Sequence, residues 1–362
     1  MEKQFESRVD SLRKILKNSD EAVLLTNEVN VGYFSGFLHS EGVMLISSDK
    51  SYLFVDFRYF EAAQKYAENC EVVCFKKLSS DVSDVCKSLN VKSLYFEASA
   101  ITVARFELFK NAFEKEGIAS FSSSGLDNLI SEIRCIKDEV EIDKIQTAQN
   151  IAENAYLETL NYVKPGAKES DIAARLEYYM KLYGAQKASF DLITITGKKT
   201  SLPHGVPSGD RIQEGDFFTC DFGAVYDGYC SDTTRTVAVK SASDEMRSVY
   251  NIVLNAQLTA LKSVKQGALC SDIDNAARNV IKQAGYGDYF GHATGHGVGL
   301  EIHEAPTVSY RSNTVLKSGM IITDEPGIYL PNKFGVRIED MLCVTEYGCH
   351  NFVNLPKELI IL

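Results

Sequence analysis

Two short stretches of the chain each carry a pair of acids across a turn. In CDFGAVYDGYCSD (Cys220–Asp232), Asp221 and Asp232 lie on either side of the turn signal Tyr226-Asp227-Gly228. Phe217, Phe218 and Cys220 run in and Thr234, Thr236 and Val237 run out, so the stretch reads as a β-hairpin. A two-residue loop centred on Tyr226 and Asp227 sets Asp221 directly opposite Asp232. Opposed residues share a face, with Cβ atoms ~4.5–5.5 Å apart. In TDEPGIYLPNKFGVRIED (Thr323–Asp340), the turn Pro331-Asn332-Lys333 sets Glu325 opposite Glu339 in the same way. Carboxylates so placed repel, and a cation between them is expected.

Two further blocks supply imidazoles. SLPHGVPSGD (Ser201–Asp210) holds His204 in a Pro/Gly turn, and GHATGHGVGLEIHE (Gly291–Glu304) holds His292, His296 and His303. Taken singly, each block is an ordinary turn, and a lone histidine is more often a core or surface residue than a ligand. All four blocks in one half of the chain point instead to a pair of divalent cations. Carboxylates neutralise two metals ~3.5–4 Å apart, and the metals lower the pKa of a shared water. A set dominated by oxygen favours manganese, cobalt or iron, and also admits zinc.

The rest of the chain must position this set. Its 362 residues suggest two domains, and 45% hydrophobic with 24% charged residues is ordinary globular composition. A net charge of -11 argues against a nucleic-acid or anionic-membrane surface. The start, MEKQFESRVDSLRKIL, lacks the apolar core of a signal peptide, and no run approaches a membrane span. Nine scattered cysteines without a CxxC pair fit a reducing, cytoplasmic setting rather than a disulfide framework or a thiolate zinc site.

The first third, 1–125, alternates strands (EAVLLT, GVMLIS, SYLFVD, EVVCF, SLYFE) with helical spacing at 5–17, 58–68 and 102–116, and ends near Ser122-Ser123-Ser124-Gly125. It reads as an α/β domain. In 126–362, Asp138 and Glu141 form a capping box before a long helix ended by Lys164-Pro165-Gly166. Helices are expected near 170–182, 244–266 and 271–285, with strand pairs between them. This is an α+β domain with helices outside a mostly antiparallel sheet. It has a faint repeat, since two helix-plus-hairpin blocks each carry an acid pair.

These motifs resemble the pita-bread metallopeptidases that include aminopeptidase P and prolidase. The resemblance spans the chain, and 134–345 carries the specific motifs. YFSGFLHSEG and FVDFRYFEAA resemble the creatinase-type N-terminal domain of those enzymes. The resemblance implies an α/β creatinase-like domain followed by an α+β pita-bread catalytic domain. It implies metal ligands at Asp221, Asp232, His296, Glu325 and Glu339. It gives His204, His292, His303 and Arg337 to the substrate site, Arg337 also orienting an aspartate ligand. Hydrolysis by a water shared between two metals follows, manganese being favoured. Glu325 would carry the proton to the leaving proline nitrogen, His303 would hydrogen-bond the carbonyl oxygen, and His292 would assist. The substrate is a peptide with proline in second position, and a homodimer is implied.

Methionine aminopeptidase shares the ligand pattern but lacks the N-terminal domain. Creatinase lacks the metals, and a non-catalytic relative would have lost ligands. A dipeptidase must hold the substrate's carboxylate, and some place arginine just after His-Glu-x-Pro. Here that position is Thr307, with Arg311 four residues on, which tilts the reading to the aminopeptidase and leaves the dipeptidase as the alternative. Asp324 stands where an apolar residue is usual. Adjacent strand residues face opposite ways, so it is expected to point away from the ligands.

Overall fold

The computed structural model describes residues 2–38 and 41–362. His39, in the YFSGFLHSEG motif, lies outside the described residues. The chain divides into two compact units, Met1–Arg134 and Cys135–Leu362. Ser122-Ser123-Ser124-Gly125 closes the strand Ala119–Ser123 and opens the helix Ser124–Cys135, all but the last residue of which belongs to the first unit.

The first unit is built on a six-stranded mixed sheet. Its order is Glu71–Cys74, Ser51–Val55, Val43–Ser47, Glu21–Leu25, Ser93–Glu97, Ala119–Ser123. Strands 21–25, 43–47 and 51–55 are buried at every position, because both faces are covered. One set of alternate residues, including Leu24, Leu45, Phe54 and Phe96, packs with Phe109 and Phe113 of the helix Val103–Glu114. The chain moves outward from strand 21–25 in one direction and returns on its other side through strand 93–97, which runs parallel to it. In such sheets the crevice at the carboxyl ends of these two strands takes ligands. Here Glu97 fills it. Its carboxylate is fully buried and accepts from the Thr26 amide (2.6 Å), the Asn27 amide (3.1 Å) and Asn30 Nδ2 (2.7 Å), at the start of the helix Glu28–Ser35.

In the second unit, the capping box forms as expected. The Asp138 side chain accepts from the Glu141 amide, and Glu141 accepts from the Asp138 amide, both at 3.0 Å. The helix it starts, Glu139–Leu160, packs on Glu169–Leu182, and a second pair, Asp244–Ser263 and Cys270–Gln283, packs likewise. Between them run antiparallel strands. Ile193–Thr196, Phe217–Phe222 and Thr233–Ala238 form one sheet. Glu304–Val308, Gly295–Gly297, Ile321–Asp324, Asp340–Val344 and Cys349–Asn351 form another. Among the described residues no helix is long and apolar enough to cross a membrane.

Candidate metal centre and substrate pocket

The first acid pair sits on a hairpin whose turn is one residue later than expected. Asp227 (φ 46°) and Gly228 (φ 83°) are the two central residues, so Tyr226 pairs with Tyr229 and Val225 with Cys230. Both central residues of such a turn need positive φ, which Asp-Gly tolerates and Tyr does not. Asp221 therefore faces Thr234, not Asp232. The shift is two residues in register, and the side-chain period is also two, so both acids keep the same face. In the second hairpin the register is as expected. Gly327 pairs with Arg337 beyond the acids and Asp324 with Asp340 before them, which brackets Glu325 opposite Glu339.

His296 arrives between these hairpins on Gly295–Gly297, the second strand of its sheet. A Cβ on Gly295 would stand 2.0 Å from the Thr323 carbonyl oxygen, and one on Gly297 2.1 Å from that of Ala305. Only glycine permits so close an approach from both neighbouring strands. His296 Nδ1 lies 3.1 Å from its own neighbour's carbonyl, Gly297 O. With that nitrogen donating, Nε2 presents its lone pair to Asp232 Oδ2 (3.5 Å) and Glu325 Oε1 (3.4 Å). Burial pushes the imidazole down to about 4, so it is neutral, the form that ligates.

Asp221, Asp232, His296, Glu325 and Glu339 all line one cavity of about 540 Å³, together with His204, His292, His303 and Arg337. Ligand atoms of Asp232, His296 and Glu339 lie within 4.8 Å of one another. One oxygen of Asp221 accepts from Arg337 Nη2 at 2.6 Å, while Oδ1 is buried with no partner. An orphaned carboxylate oxygen in a buried acid cluster costs free energy unless a cation or proton meets it. Burial and the neighbouring carboxylates raise the Asp232 and Glu339 acids well above the usual range. Burial lifts Glu325 to about 8. These residues fit a divalent-metal centre.

Residues 143–346 match the model of metallopeptidase family M24, and residues 8–136 that of the creatinase/prolidase N-terminal domain. The chain belongs to metallopeptidase family M24. Its first unit is the creatinase-type N-terminal domain and its second the pita-bread catalytic domain. The Xaa-Pro dipeptidase of Pyrococcus furiosus is 39% identical over 98% of this chain and 100% of its own. The solved Xaa-Pro dipeptidase from Bacillus anthracis is 42% identical over 99% of this chain and 100% of its own, with a TM-score of 0.94. The X-Pro aminopeptidase from Thermotoga maritima is 36% identical over 98% and 100%, with a TM-score of 0.91. These comparisons favour the dipeptidase alternative over the aminopeptidase reading drawn from Thr307.

Within this M24 site the structure adds residues that the motifs did not single out. Thr234 Oγ1 donates to Glu339 Oε2 (2.7 Å) and accepts from Arg337 Nε (3.0 Å). Thr323 Oγ1 lies 3.3 Å from Glu325 Oε1 and accepts from the His296 amide (3.1 Å). Tyr329 links two of the lining residues, Arg337 and His292. Arg337 Nη1 donates to its hydroxyl (3.0 Å), the hydroxyl meets His292 Nε2 (2.9 Å), and His292 Nδ1 meets Ala293 O (2.8 Å). Both ring nitrogens of His292 are thus engaged within the protein, and burial pushes this imidazole down to about 4. The period of two could have found Tyr329, since residues 325 and 329 share a face. Tyr329→Phe removes the hydroxyl and keeps the ring. It is expected to lower kcat/KM by about 10–100-fold at unchanged metal content, read by steady-state kinetics alongside metal analysis.

Asp324 is not among the cavity-lining residues. It is fully buried beside Asp340, and neither of its oxygens has a hydrogen-bond partner. Burial and Asp340 raise its acid well above the usual range. Asp340 collects the donors instead: Arg235 Nη2 (2.9 Å), Gln257 Nε2 (3.0 Å), Asn351 Nδ2 (2.8 Å) and Lys357.

Proposed function

We propose that this M24 peptidase hydrolyses the bond between a first residue and a following proline, with Xaa-Pro dipeptides as its substrates. The observation that carries the reading is the floor of the cavity, where four acids and a neutral imidazole converge. Asp221, Asp232, Glu325 and Glu339 outnumber the Arg337 guanidinium by three charges, and exposed Asp191 also lines the cavity. One divalent ion does not cancel that excess and two do. We assign the ions to Asp221, Asp232, His296, Glu325 and Glu339. Manganese suits so oxygen-rich a set, with cobalt, zinc and iron as the other candidates.

Bound divalent ions would polarise the scissile carbonyl and make water nucleophilic near neutral pH. The chain's own residues do the rest. Glu325 takes the proton of the attacking water and returns it to the proline nitrogen. His303, whose ring centre lies 4.3 Å from that of His296, donates to the carbonyl oxygen as its charge grows. His292, held by Tyr329, and His204 on the exposed loop form walls for the proline side. Arg337 holds Asp221 in place through a fixed fork. A proline amide has no N–H, so recognition must come from such walls rather than from a backbone grip. A cytoplasmic homodimer is part of this reading. Nine cysteines without a CxxC pair support a reducing setting.

The aminopeptidase stands as the second reading on one observation. Arg311, the nearest substitute for the arginine missing at Thr307, is exposed, rests 5.0 Å from the centre of the Tyr310 ring, and is not among the cavity-lining residues. The deciding assay compares Leu-Pro, Leu-Pro-Ala and Met-Ala-Ser on the manganese-loaded protein. The expected result is a kcat/KM for Leu-Pro at least ~10-fold above that for Leu-Pro-Ala, a difference of about 1.4 kcal/mol in transition-state binding. The reverse order would make the protein an aminopeptidase. Release of methionine alone would reject the proline reading.

A further inference from the structure

The helix Cys270–Gln283 buries Cys270, Ile273, Ala277 and Ile281, and on the same face a charged residue, Asp274, with no exposed surface. Its carboxylate is gripped by Arg278, one turn on, with Nε to Oδ2 at 2.7 Å and Nη2 to Oδ1 at 2.8 Å. Stabilising a helix does not require burying such a pair, since i,i+4 pairs do that from the surface. The remaining hydrogen bonds of the pair go to Phe290, His292 and Thr294, the segment that carries the pocket residue His292.

Arg278 Nη1 donates to Phe290 O (2.9 Å) and Nη2 to His292 O (2.8 Å). Its guanidinium lies 4.2 Å from the centre of the Phe290 ring, and that ring meets the His292 imidazole edge-on at 5.1 Å. Asp274 Oδ1 accepts from both the amide (3.1 Å) and the hydroxyl (2.9 Å) of buried Thr294. The Thr294 carbonyl in turn accepts the Glu325 amide at 2.8 Å. One ion pair thereby fixes the backbone of the segment carrying His292 and the backbone of Glu325.

We propose that Asp274 and Arg278 are positioning residues for the reaction, holding His292 and Glu325 in register without touching the substrate. The inference rests on the roles given to His292 and Glu325 above. A planar fork is needed, because Arg278 makes four bonds from three nitrogens, whereas a lysine ammonium keeps the charge but offers three donors from a single nitrogen.

The test uses Arg278→Lys and, should that variant not fold, Thr294→Val, which removes only one bond to Asp274. Three quantities are read on each folded variant: kcat and KM for Leu-Pro, manganese(II) affinity of the metal-free protein by calorimetry, and melting temperature. The expected result is a kcat about 10–100-fold lower and manganese binding about 10-fold weaker, with KM changed less than kcat. Wild-type kcat and wild-type manganese affinity, with only a lower melting temperature, would overturn the proposal and leave the pair a stability element. Weaker manganese binding in the variants, with no Leu-Pro turnover by the parent protein, would support the positioning of Glu325 and reject the substrate reading separately.

Discussion

Replacing Glu339 by alanine is expected to lower kcat/KM for an Xaa-Pro substrate by at least ~1000-fold, the loss of about 4 kcal/mol of transition-state stabilisation. The residue is 2% exposed, its Oε2 accepts from Thr234, and its amide donates to the Thr234 carbonyl at 3.1 Å. Alanine keeps that backbone bond, so the strand Asp340–Val344 stays in register. What disappears is one of the three groups whose ligand atoms already lie together. His296→Ala removes the only imidazole of that trio and is expected to be as damaging. Above pH 8, where the metal-free parent must ionise its buried acids, removing one relieves repulsion, so metal-free Glu339→Ala should melt no lower than the metal-free parent there. Metal content, circular dichroism and kinetics on the same samples check this. Activity within a few-fold of the parent in either variant would end the ligand assignment.

Stripping the metal is expected to make the protein's stability fall as pH rises from 6.5 to 8.5. Glu325 is held up at about 8, and Asp232 and Glu339 well above the carboxylate range. The unfolded chain titrates these groups near 4. The folded metal-free protein therefore binds more protons than the unfolded chain, and stability present at low pH is lost as pH climbs through the folded values. Each extra bound proton costs about 1.4 kcal/mol per pH unit. Below pH 6.5 the opposite term enters. His292 and His296 sit at about 4 when folded and near 6.5 when unfolded, so they withdraw stability as pH falls through that interval. Between about pH 4.5 and 6.5 three acids outweigh two imidazoles, so as pH rises the metal-free protein loses stability slowly there and steeply above 6.5, and saturating manganese should abolish the alkaline decline by taking the place of the protons. Melting curves with and without chelator across this range test it. A metal-free melting temperature that rose steadily to pH 8.5 would show that the acids are not held protonated.

Much of this site was legible because its signals are local. The Asp-Gly turn, the glycines around His296 and the capping box at Asp138 each act within a few residues. The hairpin at Asp221 shows the limit of that reading. Its turn type fixed the face of the acids, but a turn placed one residue early paired Asp221 with Asp232 instead of Thr234. The helix Glu28–Ser35 escaped notice because Asn30 through Ser35 are all buried, which erases any amphipathic period. Ala119–Ser123 escaped for the opposite reason, being a polar strand at the edge of its sheet. Arg278 and Thr294 were invisible to motif reading because their meaning lies in bonds to backbone atoms of other segments. A charged residue on an apolar helix face, as at Asp274, is the one mark they left in the sequence.

The buried carboxylate of Glu97 bears on what the first domain can be. Its sheet is mixed, but strands 21–25 and 93–97 run parallel, and their carboxyl ends meet the amides at a helix start, a corner that in parallel α/β sheets receives an anion. Here those amides already have an anion, delivered by the polypeptide itself and sealed from solvent. The domain therefore carries an internal substitute for a cofactor in the place where a cofactor would go. That corner is spent on holding its own architecture together, closed to a ligand by the chain's own side chain.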